Sequence, residues 1–233
     1  MAAVTKRSVE DGPSDVFLHN GDRMEQPEFH RAYKAMPENY RAELIGGIVY
    51  EPSPLGYEHA RNDSRLSYLL EHYAGLTEGL ETAGNATVIM GNEDEVQPDV
   101  LLRVMPSYGG RSRNTRKKLA YIAGAPELAA EVAHSSRAID LHLKKDRYAL
   151  AGVLEYLVLC LDPARVYWFD LRNNRSLAAD ANGIFRSVVF PGLWIDENAL
   201  LELDYAKSVE ALSLGMQTSD YLEFASRLAK AKR

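Results

Sequence analysis

The segment Leu128-Ala129-Ala130-Glu131-Val132-Ala133 sets one acid inside an otherwise apolar run. Its length and its flanks, Pro126 on one side and His134-Ser135-Ser136 on the other, read as a buried strand ending in a turn. A carboxylate buried there without a partner would cost several kcal/mol, roughly 2–7 even for a neutral polar group and more for a charge. Glu131 therefore requires a partner, and the rest of the fold must deliver it. Asp99 heads the neighbouring apolar run Val100-Leu101-Leu102. If the two runs pair as strands, the two acids come close, and each resists ionising. A divalent cation removes that conflict. Magnesium suits such a site because it prefers oxygen, keeps several waters and takes one or two carboxylates.

The chain has 233 residues, 46% of them hydrophobic and 26% charged, which fits one ordinary domain with or without an arm. The reading is an N-terminal arm over residues 1–22, followed by one domain over 23–233. A single cysteine, Cys160, allows no internal disulfide. Met1 to Arg7 lacks the apolar core of a signal peptide. The longest apolar run, Val153 to Leu161, is interrupted by Glu155 and falls short of the roughly 20 residues that a bilayer needs. The expectation is a cytoplasmic protein with no membrane association. Net charge is −6, which argues against a surface that is basic throughout but leaves room for a local basic site.

Several elements can be read in order. Pro27 to Tyr33 predicts a short helix with proline in its first turn. Ala42 to Glu51 predicts a hairpin around Gly46-Gly47. Glu58 to Tyr73 predicts an amphipathic helix with Leu66, Leu69, Leu70 and Tyr73 on its buried face. Strands are expected over Glu81–Met90, Gln97–Val104, Glu127–Ala133, Glu155–Leu161 and Val166–Leu171. A helix is expected over Ala138–Ala151, closed by Gly152, and a last one over Ser219–Lys230. Leu177–Ala181 and Phe185–Phe190 are expected to form a hairpin around Asn182-Gly183, and Pro191 to Ile195 is expected to cover one end of the core. The order defines a mixed α/β (α+β) domain with one central mixed sheet flanked by helices.

Met105 to Leu119 reads as a loop. The stretch that contains it carries Arg103, Arg111, Arg113, Arg116, Lys117 and Lys118, with no acid among them. Such a segment is either a solvated loop or a phosphate-contacting arm beside the acids. Asp140 and Lys144 lie four apart on a predicted helix, so they share a face. Lys144 could orient a water or neutralise developing charge; Lys145 points about 100° away. No phosphate-binding glycine loop and no Cys/His zinc pattern is present, which argues against NTPase and zinc-enzyme classes.

Pro98-Asp99, Glu131-Val132-Ala133, then Asp140, Lys144 and Tyr148, then Gly152 to Tyr156 and Asp162-Pro163, resemble the Uma-two family of restriction-endonuclease-like proteins. That family belongs to the PD-(D/E)XK nuclease superfamily. Ala42 to Tyr50 resembles its N-terminal hairpin, and Pro52-Ser53-Pro54 with His59 the segment after it. The resemblance implies a restriction-endonuclease-like fold and a metal site from Asp99 and Glu131, with Glu43 as a further acid. The superfamily's usual lysine would fall at Ala133, so the resemblance shifts that role to Lys144 on the following helix. It implies a Mg2+- or Mn2+-dependent endonuclease acting on DNA, with Glu43, Asp99, Glu131 and Lys144 catalytic. Arg111, Arg113, Arg116, Lys117, Lys118 and His59 are the candidate nucleic-acid contacts. His134 is a further polar candidate near the metal. A homodimer is the expected assembly, using the Val166–Leu171 strand and the C-terminal helix. The alternative is a catalytically inactive nuclease-like module that binds nucleic acid or protein.

Overall fold

A computed structural model describes residues 17–54, 56–115 and 120–233. The chain runs α1 (Gln26–Ala35), β1 (Glu43–Ile45), β2 (Ile48–Tyr50), α2 (Tyr57–Gly75), β3 (Leu80–Gly84), β4 (Val88–Ile89), β5 (Glu95–Val96) and β6 (Val100–Val104). It continues with β7 (Arg113–Asn114), β8 (Ile122–Ala123), β9 (Leu128–Ala133), a π-helical turn (Ile139–Lys144), α3 (Lys145–Ala151), β10 (Glu155–Leu161) and β11 (Ala164–Asp170). It closes with β12 (Arg175–Leu177), β13 (Ile184–Arg186), β14 (Trp194–Asp196), α4 (Glu197–Leu201), α5 (Tyr205–Gly215) and α6 (Ser219–Lys230).

The architecture is mixed α/β, but the strands form more than the one sheet expected. The main sheet has the order β12-β11-β10-β9-β6-β3, with β9 and β10 parallel and the other neighbours antiparallel. A second sheet has the order β2-β1-β5-β4-β8-β7, and β13 pairs with β14 alone. β9 lies inside the main sheet and is buried on both faces. Its alternation divides the core. Leu128, Ala130 and Val132 face α2 and the C-terminal helices, together with Leu66, Leu70, Trp168 and Phe224. Ala129 and Ala133 face α3 and the second sheet, together with Ile45, Val96, Tyr148 and Tyr156. A third cluster, Phe29, Ala32, Leu44 and Val49, packs α1 on the hairpin. Gly46 and Gly47, at φ +59° and +75°, make the tight turn that the glycine pair predicted.

Several expectations are corrected. The predicted strand Glu81–Met90 is two strands in two sheets, because Asn85 turns into the left-handed region at φ +52° and re-aims the chain. The predicted strand Gln97–Val104 starts only at Val100, leaving Asp99 just ahead of it. Leu177–Ala181 and Phe185–Phe190 do not pair with each other. Asp180 closes a local turn by accepting from the amides of Asn182 and Ile184, while β12 joins β11 and β13 joins β14. The predicted helix Ala138–Ala151 begins as a π-helical turn. Helix α5, capped by the Asp204 side chain, was not anticipated. Of the two surfaces expected to support self-association, β11 buries Val166 and Trp168 and is covered by β12, whereas α6 exposes Leu222. The expected arm over residues 1–22 lies mostly outside the described residues; Leu18 is buried and Gly21 bonds to β2. Among the described residues, no helix is long and apolar enough to cross a membrane.

Helix α5 crosses the chain at Gly192 with backbone in close approach. A methyl on Gly215 would lie 2.3 Å from the Gly192 carbonyl oxygen and 2.7 Å from the Trp194 ring. Gly215→Ala should therefore destabilise the fold by about 1–3 kcal/mol, read as a lowered midpoint in urea unfolding.

Candidate active site

The antiparallel register of β6 and β9 sets Val100 opposite Ala130, so the next step outward brings Asp99 beside Glu131. Directly opposite residues have Cβ atoms roughly 4.5–5.5 Å apart. The pairing argued from sequence is therefore present. The Asp99 carboxylate is held in place by the strand backbone, its Oδ2 accepting from the Val132 amide at 2.7 Å.

Glu131 has found its partners within the protein. The Lys144 Nζ lies 2.9 Å from Glu131 Oε1 and 2.9 Å from Glu43 Oε2, with Asp140 Oδ1 at 3.9 Å. The Tyr148 hydroxyl donates to the same Glu131 oxygen at 3.0 Å. Glu43, at the start of β1, is fixed through its other oxygen by the Gln97 amide at 2.6 Å. Glu131, Asp140, Lys144 and Tyr148 are all buried. Three segments far apart in sequence thus converge on one ammonium: the hairpin, the central strand and the crossover between β9 and β10.

The π-helical turn matters to this convergence. It places Lys144 over the end of β9 while α3 continues with Tyr148 one turn later. Arg147, on the next face, clamps the hairpin from outside. Its Nε and terminal nitrogen bind the Asp94 carboxylate at 2.6–3.1 Å, and Asp94 Oδ1 accepts from the Gly46 amide at 2.9 Å. Glu43 and Lys144 are thereby held together by two independent ties.

The electrostatics follow from burial. Burial pushes the Glu131 carboxyl well above its usual range; Lys144 opposes that, and Asp99, Asp140 and Glu43 reinforce it. Burial alone would lower the Lys144 ammonium, but Glu131, Glu43 and Asp140 together raise it well above an ordinary lysine. It is a fixed positive charge rather than a proton donor. Burial also raises Asp140 and both Tyr148 and Tyr156. The Tyr156 hydroxyl is buried without a partner among the described residues, and its ring lies 4.9 Å from that of Tyr148.

His59, on α2, reaches the site, with its Nε2 3.4 Å from Asp99 Oδ2. Asp63, one turn further along α2, feels the Asp99 charge and is raised chiefly by burial. Asp63 lies off the apolar stripe of α2, and its i, i+4 spacing from His59 is the sequence signal that ties it to the site. Asp140 was identified from sequence only as a neighbour of Lys144, and Tyr148 only through the family motif. Lys145 points out and pairs with Asp146 at 3.7 Å, and His134 is exposed.

The basic segment stands elsewhere. It leaves the far end of β6, roughly 17 Å from Asp99 at about 3.4 Å per residue. Arg103 is buried and paired with Glu81, Ser112 and Asn114. Glu127 anchors the amides of Val104 and Arg111 at 2.9 and 3.4 Å, again at the far end of β9. Arg113 and Asn114 form β7, so the expected loop is partly structured. Arg111 and Arg113 are exposed, whereas Arg116, Lys117 and Lys118 lie outside the described residues.

The chain is nuclease-like by the family it belongs to and by its fold. The sequence profile of the Uma2 family, described as "Putative restriction endonuclease", matches residues 26–199, and the chain belongs to that family. Among solved structures, it is similar to a protein from Anabaena variabilis ATCC 29413 described as a "putative nuclease belonging to DUF820". The identity is 14% and the TM-score 0.54, over 73% of this chain and 96% of that one. No curated protein sequence matches the chain.

Two outcomes follow from the geometry. Lys144→Met leaves Glu43 and Glu131 facing each other in a buried site, so unfolding near neutral pH should cost about 3–5 kcal/mol less. Burial already raises Glu131 and the loss of Lys144 raises it further, so the deficit should shrink as pH falls and Glu131 takes up a proton, which urea unfolding across a pH series will read. For His59, the Asp99 contact raises the imidazole above its ordinary 6.5. Its stabilising contribution is then full below pH 6.5 and fades as pH rises through the raised value. An NMR titration should show the His59 midpoint fall in Asp99→Asn.

Proposed function

We propose that the chain is a metal-dependent endonuclease of the PD-(D/E)XK type that hydrolyses DNA phosphodiester bonds. The observation that carries the reading is the Lys144 ammonium seated between Glu131 and Glu43, beside Asp99. A lysine beside a strand-borne pair of acids is the minimal equipment for this reaction, and here the crossover supplies what Ala133 cannot.

The donor set fits a hydrated divalent cation. Asp99 Oδ1 and Glu131 Oε2 accept no hydrogen bond among the described residues, and the unpartnered Tyr156 hydroxyl lies among the same charges. Asp99 and Glu131 would hold the ion, with Glu43 as a further acid. Among the described residues no three His, Cys, Asp or Glu side chains converge as a ready-made cage. Two carboxylates with waters are nevertheless what magnesium takes. When bound, magnesium or manganese supplies a water of lowered pKa and stabilisation of charge on the phosphate.

The residues of the chain divide the remaining work. The Val132 amide and His59 fix the Asp99 carboxylate, and Tyr148 fixes that of Glu131. Gln97 holds Glu43 against Lys144. Lys144 keeps its proton, orients a water through a hydrogen bond and offsets negative charge as it develops. A protein of this kind cuts both strands of a duplex most simply as a pair, and the exposed Leu222 on α6 is available to such an assembly.

A second reading, an inactive scaffold that binds nucleic acid or protein, is favoured by one observation. The Lys144 ammonium already balances the carboxylates that a metal would otherwise join.

The test is cleavage of plasmid and linear DNA by the purified chain with magnesium or manganese, alongside metal binding by calorimetry. Asp99→Asn, Glu131→Gln and Lys144→Met should each reduce cleavage by about 100-fold or more. Absence of both cleavage and metal binding in the folded wild type would reject the enzyme and leave the scaffold.

A further inference from the structure

We propose that Arg137 is a phosphate-binding residue of the candidate active site, seating the DNA phosphate next to the one that would be cut. The inference rests on the nuclease reading for its choice of ligand. Arg137 follows the C-terminal end of β9, in the turn that leads into the crossover. Ligands of α/β sheets gather outside the carboxyl ends of strands, and Asp99, Glu131 and Lys144 stand at this same end.

Strand register fixes how far Arg137 stands from them. Val158 on β10 is opposite Glu131 on one side and Tyr167 of β11 on the other. The three therefore share one face of the main sheet at one level. Cys160, two residues further along β10 on that face, is opposite Ala133 and Arg165. The Arg137 guanidinium lies beside Tyr167 and the Cys160 thiol, over β10 and β11. That is one to two strand spacings from β9, about 5–10 Å, a span on the scale of neighbouring phosphates joined through one sugar. The turn is also tied to the site: Ser136 donates to Asp140 at 2.5 Å, and Asp140 lies 3.9 Å from Lys144.

The guanidinium is available. Its Nε is enclosed and has no hydrogen-bond partner among the described residues, a costly state for a charged donor. The groups beside it are a phenol and a thiol rather than a carboxylate. The side chain is only partly buried, so the guanidinium has donors left for a ligand. Other enclosed arginines of this chain are answered by acids, Arg103 by Glu81 and Arg147 by Asp94. The acids around the turn do not play that part for Arg137. Asp140 is engaged by Ser136 and Lys144, Glu197 by the Val166 amide, and Asp162 is exposed in the turn between β10 and β11. A planar fork with free donors matches two oxygens of one phosphate. Arg165, exposed on β11 with its guanidinium 5.4 Å from the Tyr167 ring centre, adds a second cation to the same edge.

The experiment is fluorescence anisotropy of labelled duplex DNA with the full chain in chelator, over a series of salt concentrations. Cleavage in magnesium or manganese is measured alongside. Arg137→Gln should weaken binding to every DNA sequence alike and lower the log–log salt slope by about 0.9, the value for one phosphate contact on duplex. Arg137→Lys, which keeps the charge but not the fork, should restore the slope and only part of the affinity. An unchanged slope in Arg137→Gln overturns the proposal, and a urea midpoint lowered alike in Arg137→Gln and Tyr167→Phe then assigns the pair to the fold alone. A wild type that binds no DNA overturns it as well. Metal-dependent cleavage with a slope unmoved by Arg137→Gln rejects the phosphate contact and leaves the nuclease. A slope lowered in Arg137→Gln, with no cleavage by the wild type, rejects the nuclease and leaves the phosphate contact.

Discussion

The ammonium of Lys144 is the charge on which this architecture turns. Glu131 sits in a strand buried on both faces, where burial alone pushes its carboxyl far from its usual range. A fixed cation 2.9 Å away, shared with Glu43, makes that burial tolerable. The same contact joins the hairpin, the central strand and the crossover. Removing either partner therefore disturbs the packing of the two sheets. Buried ion pairs add little net stability relative to apolar replacements, since desolvation offsets most of the Coulomb gain.

The surroundings show how such a cluster is kept rigid. Each carboxylate is held by a second group that belongs to the scaffold: the Val132 amide on Asp99, the Gln97 amide on Glu43, and the Tyr148 hydroxyl on Glu131. Backbone donors are ideal for this because strand pairing fixes them before any side chain is placed. Arg147 and Asp94 then lock the hairpin turn to the crossover helix. The site is organised from strand register outward, and the helices supply the cation and the histidine.

The main elements were legible in the sequence where one physical signal dominated. The Gly46-Gly47 turn, the amphipathic α2 and the apolar β9 and β10 all announce themselves through backbone freedom or periodicity. The failures share a cause. Short strands of two or three residues, such as β4, β5 and β13, carry too little periodicity to show which sheet they join. Asn85 gave no warning that it splits one run between two sheets. The π-helical turn is invisible because its residues are those of any amphipathic helix. Helix α5 was missed although Asp204 caps it and Ala211 and Leu212 bury in it. Arg103 looked like part of a basic arm, yet it is buried and paired, because charge counts carry no information about burial.

What the sequence determined by itself was the demand: an acid placed inside the apolar run of β9 cannot remain alone, and only a cation can answer it; the resemblance to the family pointed to Lys144 and added Glu43 as a further acid. Strand alternation also ruled out a lysine from the same strand, since Ala133 holds that position. What only the tertiary structure decided was which groups meet. The distance from Lys144 to Glu131 depends on a π-helical turn, on a parallel crossover and on a hairpin clamped from outside, none of which is a local property. The placement of His59 and Asp63 at Asp99, and of the basic segment at the opposite end of the strands, follows from packing between elements distant in sequence. Local residue patterns fix energies of burial and pairing, whereas positions in space follow from the sum of all contacts.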